Sequence, residues 1–450
     1  MLGRNVAHTI SFAKERGLLV HRDDANNIII KKDGTQGMEK HAPVAIQGHM
    51  DMVCEKNEDS AHDFTKDPIK VIYDGDIIRA DGTTLGADDG IAVAMALALL
   101  DSNDIPHPPL EVLITTDEEV GMLGAAAFDP ALISARVLLN IDSEQEGVFT
   151  VGCAGGVKTH SVIPVKYVKT DKNAYNISIS GLQGGHSGIE IHRERGNANK
   201  LILRLFNMLS ADFSDIALAG VSGGAKDNAI PRFAKMTVCS SAPFEEIAEH
   251  IKIAEYTFNN ELEGKDSLIV SIEKTQTDHV FDNDCAKRVT AFASLVPNGV
   301  QTNNLQLGMP ESSNNLGVIV QHEDSVEFIC ALRSSLASLK GNMLDAITRL
   351  TKLCGGEISS VGDYPAWEFK PHSPLRDIFV DEYKKMYKKE PVVETVHAGL
   401  ECGLIGEKIP DMDMISFGPD LYDIHTPNER AEIMSIERVW IFLQNVLKKL

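Results

Sequence analysis

His49-Met50-Asp51, Asp88-Asp89, Asp117-Glu118-Glu119, Asp142 and His425 are short acidic or imidazole-bearing clusters spread along a chain of 450 residues. Each is expected at or just past the carboxyl end of a β-strand, the edge where an open α/β sheet gathers side chains into one crevice. Carboxylate and imidazole together suit Zn²⁺, Mn²⁺ or Co²⁺. The set points to a metal site with two ions.

Taken singly, the clusters have ordinary explanations. His49-x-Asp51 puts both side chains on one face of an extended chain. A metal-bound histidine usually hands its other ring N–H to an acceptor, and Asp51 can help hold that arrangement; alone, the pair is a solvated turn. Asp88-Asp89, within Gly86-Ala87-Asp88-Asp89-Gly90, is either a helix cap or a carboxylate whose two oxygens bridge two cations. Three consecutive acids at 117–119 repel one another unless a cation offsets them. One carboxylate of such a run can ligate while its neighbour stays free as a base. Asp142 by itself is a turn former, and His425 a surface-loop histidine; alignment of the strand ends raises both to ligands. His186, in Gly184-Gly185-His186-Ser187-Gly188, fits a flexible loop or a substrate-contacting group. The chain has no Walker A loop or GxGxxG fingerprint.

The elements that must position these residues alternate in type. Segments 27–30, 44–47, 111–116 and 137–141 have strand character, and 91–100 is an Ala/Leu-rich buried helix. Strands interleaved with helices imply βαβ units: an α/β fold with a mostly parallel sheet flanked by helices. After Gly155-Gly156 the pattern changes to strands at 177–180, 234–239 and 267–273 with helices at 197–211 and 244–263. A similar set recurs to 361, so this stretch is expected to be an α+β insertion with two similar halves. The α/β pattern returns from about Pro371, with a helix at 375–387, a strand at 412–417 and a terminal helix from Ser435. If His425 joins the site begun at His49, the chain leaves its first domain and comes back. The expected division is 1–172 with 371–450, interrupted by 173–370.

Composition narrows the partners. A formal net charge of -22 argues against nucleic acid or an anionic membrane surface, which need a basic face. Seven cysteines, an odd number with no CxxC pair, indicate reduced thiols in a cytoplasmic compartment. The apolar run 91–100 is far short of the ~20 residues that span a bilayer.

The ordered set HMD, GADDG, DEE, NIDSE, GGHSG and a late histidine resembles the co-catalytic di-zinc metallopeptidases that include peptidase T, carnosinase and aminoacylase. VGCAGG at 151–156, GGHSGIEIH at 184–192, GNANK at 196–200, NAIPR at 228–232 and HAGLECG at 397–403 look like the aminoacyl-histidine dipeptidase branch. The resemblance covers essentially the whole chain. It implies two zinc ions per subunit, with Co²⁺ or Mn²⁺ as substitutes: one on His49, Asp88 and Asp142, the other on Asp88, Glu119 and His425. It further implies Glu118 as general base, Asp51 as partner of His49, and the inserted domain as a dimerising lid. Within that lid His186 would meet the scissile carbonyl oxygen, and Asn228 and Arg333 the substrate carboxylate. Glu401 would meet the substrate amine. The implied enzyme is a metallo-exopeptidase, a dipeptidase for small peptides of Xaa-His type, assembled as a homodimer. Such proteins place an opening helix before the 27–30 strand, and this chain is expected to lack it.

Rival readings are a tripeptidase or N-acyl amino acid deacylase of the same architecture, and a noncatalytic metal-binding or assembly protein. The last requires loss of a ligand or of the base, and neither is lost. A two-carboxylate glycosidase would leave His49 and His425 unexplained.

Overall fold

Segments 44–49 and 110–115 are buried at every position, as strands covered on both faces must be. In the computed structural model, which describes residues 2–305 and 307–450, they lie side by side and parallel in an eight-stranded sheet. The strand order is Leu19–Arg22, Ile28–Lys32, Leu110–Thr115, Val44–His49, Val137–Asn140, Asp413–Ser416, Val148–Cys153, Val392–Val396. The four strands from Leu110–Thr115 to Asp413–Ser416 run parallel to one another. The two strands before them continue the sheet antiparallel. The helix Ala87–Asp101 buries Ala92, Met95, Ala96, Leu99 and Leu100 in the same core as Ile46 and Val112. On this framework sits a small antiparallel sheet ordered Leu421–Tyr422, Arg430–Glu432, Ile77–Ala80, Val71–Asp74.

A helix, Leu2–Glu15, precedes the first strand, correcting the expectation that it is missing. Val6, Thr9 and Ala13 are buried and Ile10 partly so, the i, i+3, i+4, i+7 stripe of an amphipathic helix. Small and polar residues in that stripe made it inconspicuous.

The chain divides into two compact units: 1–153 with 367–396 and 400–450, and 154–366 with 397–399. These boundaries differ from the expected 172/173 and 370/371. The strand Gly155–Pro164 belongs to the second unit, where it pairs with Ser325–Ser334 and Glu357–Tyr364. Its inward positions are Val157, Thr159, Ser161 and Ile163, and the two hydroxyl residues erase the apolar alternation that marks a strand.

The second unit's main sheet shows what the two halves are. Its order is Ile269–Thr275, Asn173–Ser180, Ala234–Ser240, Ala217–Gly223, then Met309–Gln321, Ser325–Ser334, Gly155–Pro164, Glu357–Tyr364. Each half is a strand–helix–strand–strand–helix–strand unit, and the second half's strand order mirrors the first. The halves join at one register pair, Gly223 with Ile319. The inner half, 173–275, is threaded between the outer half's first strand and its first helix, Asn283–Leu295.

In the first unit Phe379 is fully buried and meets Phe149, Phe417 and Phe442 edge-on at 5.1–5.3 Å between ring centroids. Phe379→Ala is expected to cost about 3–5 kcal/mol, measured as a lowered denaturant midpoint. A loss below about 1 kcal/mol would mean the site collapses around the missing ring.

Candidate metal centre

Parallel register delivers the ligands. His49 ends its strand level with Thr115, and Gln47 is level with Asn140. The chain segments that follow therefore emerge together, carrying Asp51, Asp117–Glu119 and Asp142 to one edge. Asp88 arrives differently from expectation. It stands at the start of the helix Ala87–Asp101 and not at a strand end. His425 lies in the loop after Leu421–Tyr422, at a left-handed φ of 61°.

The side chains converge. His49 Nε2 lies 3.1 Å from Asp88 Oδ1 and 3.6 Å from Asp142 Oδ1. His425 Nε2 lies 3.1 Å from Asp88 Oδ2 and 3.0 Å from Glu119 Oε1. The two oxygens of Asp88 thus face two histidines. Ligand atoms of His49, Asp88 and Asp142 fall within 4.8 Å of one another, as do those of Asp88, Glu119 and His425. His49, Glu118 and Glu119 make a third such set, so Glu118 borders the same space.

Asp51 acts through two groups. Its backbone carbonyl, 3.1 Å from His49 Nδ1, is nearer than its carboxylate at 3.6 Å. The carboxylate accepts the backbone N–H of Glu118 and Glu119, pinning the acidic turn beside His49. Gly48 is needed for close approach: a Cβ there would lie 2.4 Å from Asp89 Oδ2 and 2.5 Å from Ala92 Cβ. Asp89 is buried and accepts the His49 backbone N–H.

Beneath the edge runs a buried polar brace. Gln47 Nε2 and Thr115 Oγ1 both donate to Glu401 Oε2 at 2.6 Å, and Asn140 Nδ2 donates to Gln47 Oε1. Glu401 is 0% exposed and its Oε1 has no partner. It therefore offers no exposed oxygen to a substrate amine, unlike the expectation from resemblance; the brace is what occupies it.

Electrostatics shows what the site lacks. Burial, then Asp142, pushes Glu118 up to about 9, and burial raises Asp142 and Asp89. Hydrogen bonds to Asp88 and Glu119 push His425 up to about 10. Burial opposes charge on His49, but Asp142, Asp51 and Asp88 outweigh it and hold its pKa well above the ordinary value. The carboxylates draw positive charge to this spot, and imidazole nitrogens with carboxylate oxygens are a donor set that Zn²⁺ fits.

The second unit holds its own polar cluster. His186 Nδ1 accepts the backbone N–H of Gly188 and Ile189 at 3.2 and 3.1 Å, so the ring's proton sits on Nε2. Asn228 is exposed, and its carbonyl accepts the Ser187 N–H. Arg333 donates to Tyr364 Oη, its Nε is buried without a partner, and among the described residues it has no carboxylate partner. Gly188 lets these groups meet, since a Cβ would lie 2.4 Å from the His397 carbonyl and 3.0 Å from Arg333 Nε. His397, the first residue of the HAGLECG segment and given no role from sequence, is 4% exposed and shares a 2.7 Å hydrogen bond with Ser313. Cationic Arg333 without a counter-ion makes this cluster receptive to an anion.

A profile of "Peptidase family M20/M25/M40" matches residues 45–449. The chain belongs to this peptidase family. Over 451 residues it is 39% identical to the cytosol non-specific dipeptidase of Escherichia coli K12, covering 98% of this chain and 92% of that protein. The solved aminoacylhistidine dipeptidase of Vibrio alginolyticus superposes with a TM-score of 0.93 at 38% identity, covering 99% of this chain and 92% of that one. Aminopeptidase PepT of Bacillus cereus shares the fold, with a TM-score of 0.55 at 15% identity. The resemblance seen in the motifs therefore holds for the whole chain. The M20 family is metal-dependent, and His49, Asp88, Glu119, Asp142 and His425 are the residues that fit that requirement here. No helix among the described residues is long and apolar enough to cross a membrane.

Burial, then Arg333, His186 and His192, lowers the His397 pKa to about 4 from 6.5. Between those values the unfolded chain takes up a proton that the folded chain refuses, so stability falls as pH drops through that window. His397→Gln is expected to flatten the acid limb, by on the order of 3 kcal/mol between pH 6.5 and 4. Urea midpoints for both proteins across this range test it; equal slopes would contradict the assignment.

Proposed function

We propose that this chain is a metal-dependent dipeptidase hydrolysing Xaa-His and other dipeptides, with a pair of Zn²⁺ ions held by His49, Asp88 and Asp142 and by Asp88, Glu119 and His425. The observation that carries the reading is Asp88: one carboxylate turns one oxygen to His49 and the other to His425. Full-length similarity to two named dipeptidases supports the substrate class.

When bound, the ions would act as Lewis acids and lower the pKa of a water. Glu118 is the base in this reading. Its carboxylate borders the ligand set, and its raised affinity for protons suits a group that must take one from water and give it up later. The water oxygen bonds to the peptide carbon, the C–N bond breaks, and Glu118 returns the proton to the leaving amine. His186, with its proton on Nε2, donates to the carbonyl oxygen as negative charge develops. Arg333, which has no carboxylate partner among the described residues, and Asn228 hold the substrate's carboxylate end. In this reading the first unit is the catalytic domain and the second a lid through which a homodimer forms. A cytoplasmic setting is supported by the relative's name and by seven free cysteines.

Chelation with EDTA is expected to reduce hydrolysis of an Xaa-His dipeptide by about 10²-fold or more, and Zn²⁺, Mn²⁺ or Co²⁺ to restore it. A panel with tripeptides and N-acetyl amino acids reports the substrate class. Full activity in metal-free protein, or preference for either rival substrate, would overturn the proposal. Glu118→Ala is expected to lower kcat about 10²–10⁴-fold with unchanged ion content by metal analysis. Near-normal kcat would remove Glu118 from the base role.

A further inference from the structure

Four residues after His425, the buried carboxylate of Glu429 reaches the segment that carries Asp88. Glu429 is 2% exposed. Its Oε2 accepts the backbone N–H of Leu85 at 2.7 Å and of Gly86 at 3.0 Å. Its Oε1 accepts Ala87 N–H at 2.8 Å and faces Asp88 N–H at 3.4 Å. These donors lie just ahead of the regular turns of the helix Ala87–Asp101, since Asp88 and Asp89 depart from helical φ/ψ, and backbone N–H groups in such a buried lead-in need an acceptor. Gly86, at the N-cap position, has no side chain with which to satisfy them. A carboxylate from far along the chain supplies that acceptor, and hydrogen bonds to a charged group are the stronger kind.

The other end of this tether is equally defined. Glu429 N–H bonds the Thr426 carbonyl, and Thr426 Oγ1 bonds the Asp423 carbonyl, closing the turn that bears His425. The strand Arg430–Glu432 begins directly after Glu429 and is paired on both sides, to Leu421–Tyr422 and to Ile77–Ala80. The carboxylate therefore ties a loop anchored in the small sheet to the helix start that presents Asp88. His425 and Asp88 come from distant parts of the sequence, and their Nε2–Oδ2 separation of 3.1 Å needs both loops held in place.

We infer that Glu429 is a positioning residue for the metal centre: it fixes the Asp88 segment against the His425 loop and so sets the affinity for divalent ions, without touching ion or substrate. This inference rests on the metal-dependent reading above. Gln at this position keeps the length but turns an NH₂ group toward backbone N–H donors, and Asp is too short to reach both donor pairs. Partners that orient ligands from behind typically change metal affinity 10–100-fold when replaced.

The test is competition for Zn²⁺ between a chromophoric chelator and the full-length chain, as wild type, Glu429→Gln and Glu429→Asp. Thermal unfolding of each metal-free protein is measured alongside, and competition is run well below every Tm. The expected result is at least about 10-fold weaker Zn²⁺ binding in both folded variants, with kcat on a dipeptide returning towards wild type at saturating Zn²⁺. A plain cap would lower the metal-free Tm and leave the Zn²⁺ affinity of the folded protein unchanged; that result overturns the inference. So does failure of both metal-free variants to fold, which would make Glu429 a folding requirement. If wild type itself binds no Zn²⁺, the metal-dependent reading fails instead.

Discussion

Glu118 and Asp142 are buried beside other carboxylates, and loss of water together with the neighbouring negative charge holds both above the ordinary carboxylate range. Everything around the edge of the first sheet answers to that constraint. Two imidazoles lie among the carboxylates and are driven towards the charged form. Backbone N–H groups turn inward at Asp51, Asp89 and Glu429 to give further acids a partner. Under the edge, Gln47 and Thr115 spend their side-chain hydrogen bonds on Glu401. A cation is the remaining means of balancing such a cluster, and the clustering is hard to account for as fold stabilisation alone.

His49, Glu119 and Asp142 are legible in the sequence because each lies at or just past the end of an apolar run, and apolar runs of four to six residues mark buried strands. Parallel register then brings the segments that follow these strands out at one edge. Asp88 is legible for its motif and not for its placement, since a helix start looks like a strand end when both follow a glycine-flanked turn. The strand Gly155–Pro164 was hidden by Thr159 and Ser161 in core-facing positions, and with it the true first strand of the outer half. The helix Glu401–Lys408 was hidden by its two glycines and short length. Glu429 and His397 escape for a different reason: their partners are backbone amides and a serine hydroxyl, which carry no sequence signature.

The two units handle charge in opposite senses. The first gathers anions that call for a cation. The second gathers Arg333, His186 and His397 with, among the described residues, no carboxylate opposite Arg333, and burial keeps His397 neutral so that a single cationic charge dominates.

The nesting of one half inside the other in the second unit has a consequence for how the chain is made. The inner half, 173–275, is contiguous, so it can pair its four strands as soon as they are synthesised. The strand Gly155–Pro164 emerges earlier, yet both of its sheet neighbours, Ser325–Ser334 and Glu357–Tyr364, are still unmade. Its loop can close only around a block that has already folded, and long-range closure of that kind is slow. The older strand waits for the younger ones. A ribosome-bound chain ending near 320 would then carry a finished inner half beside an unpaired outer strand whose alternating Thr and Ser make it less adhesive than an apolar edge.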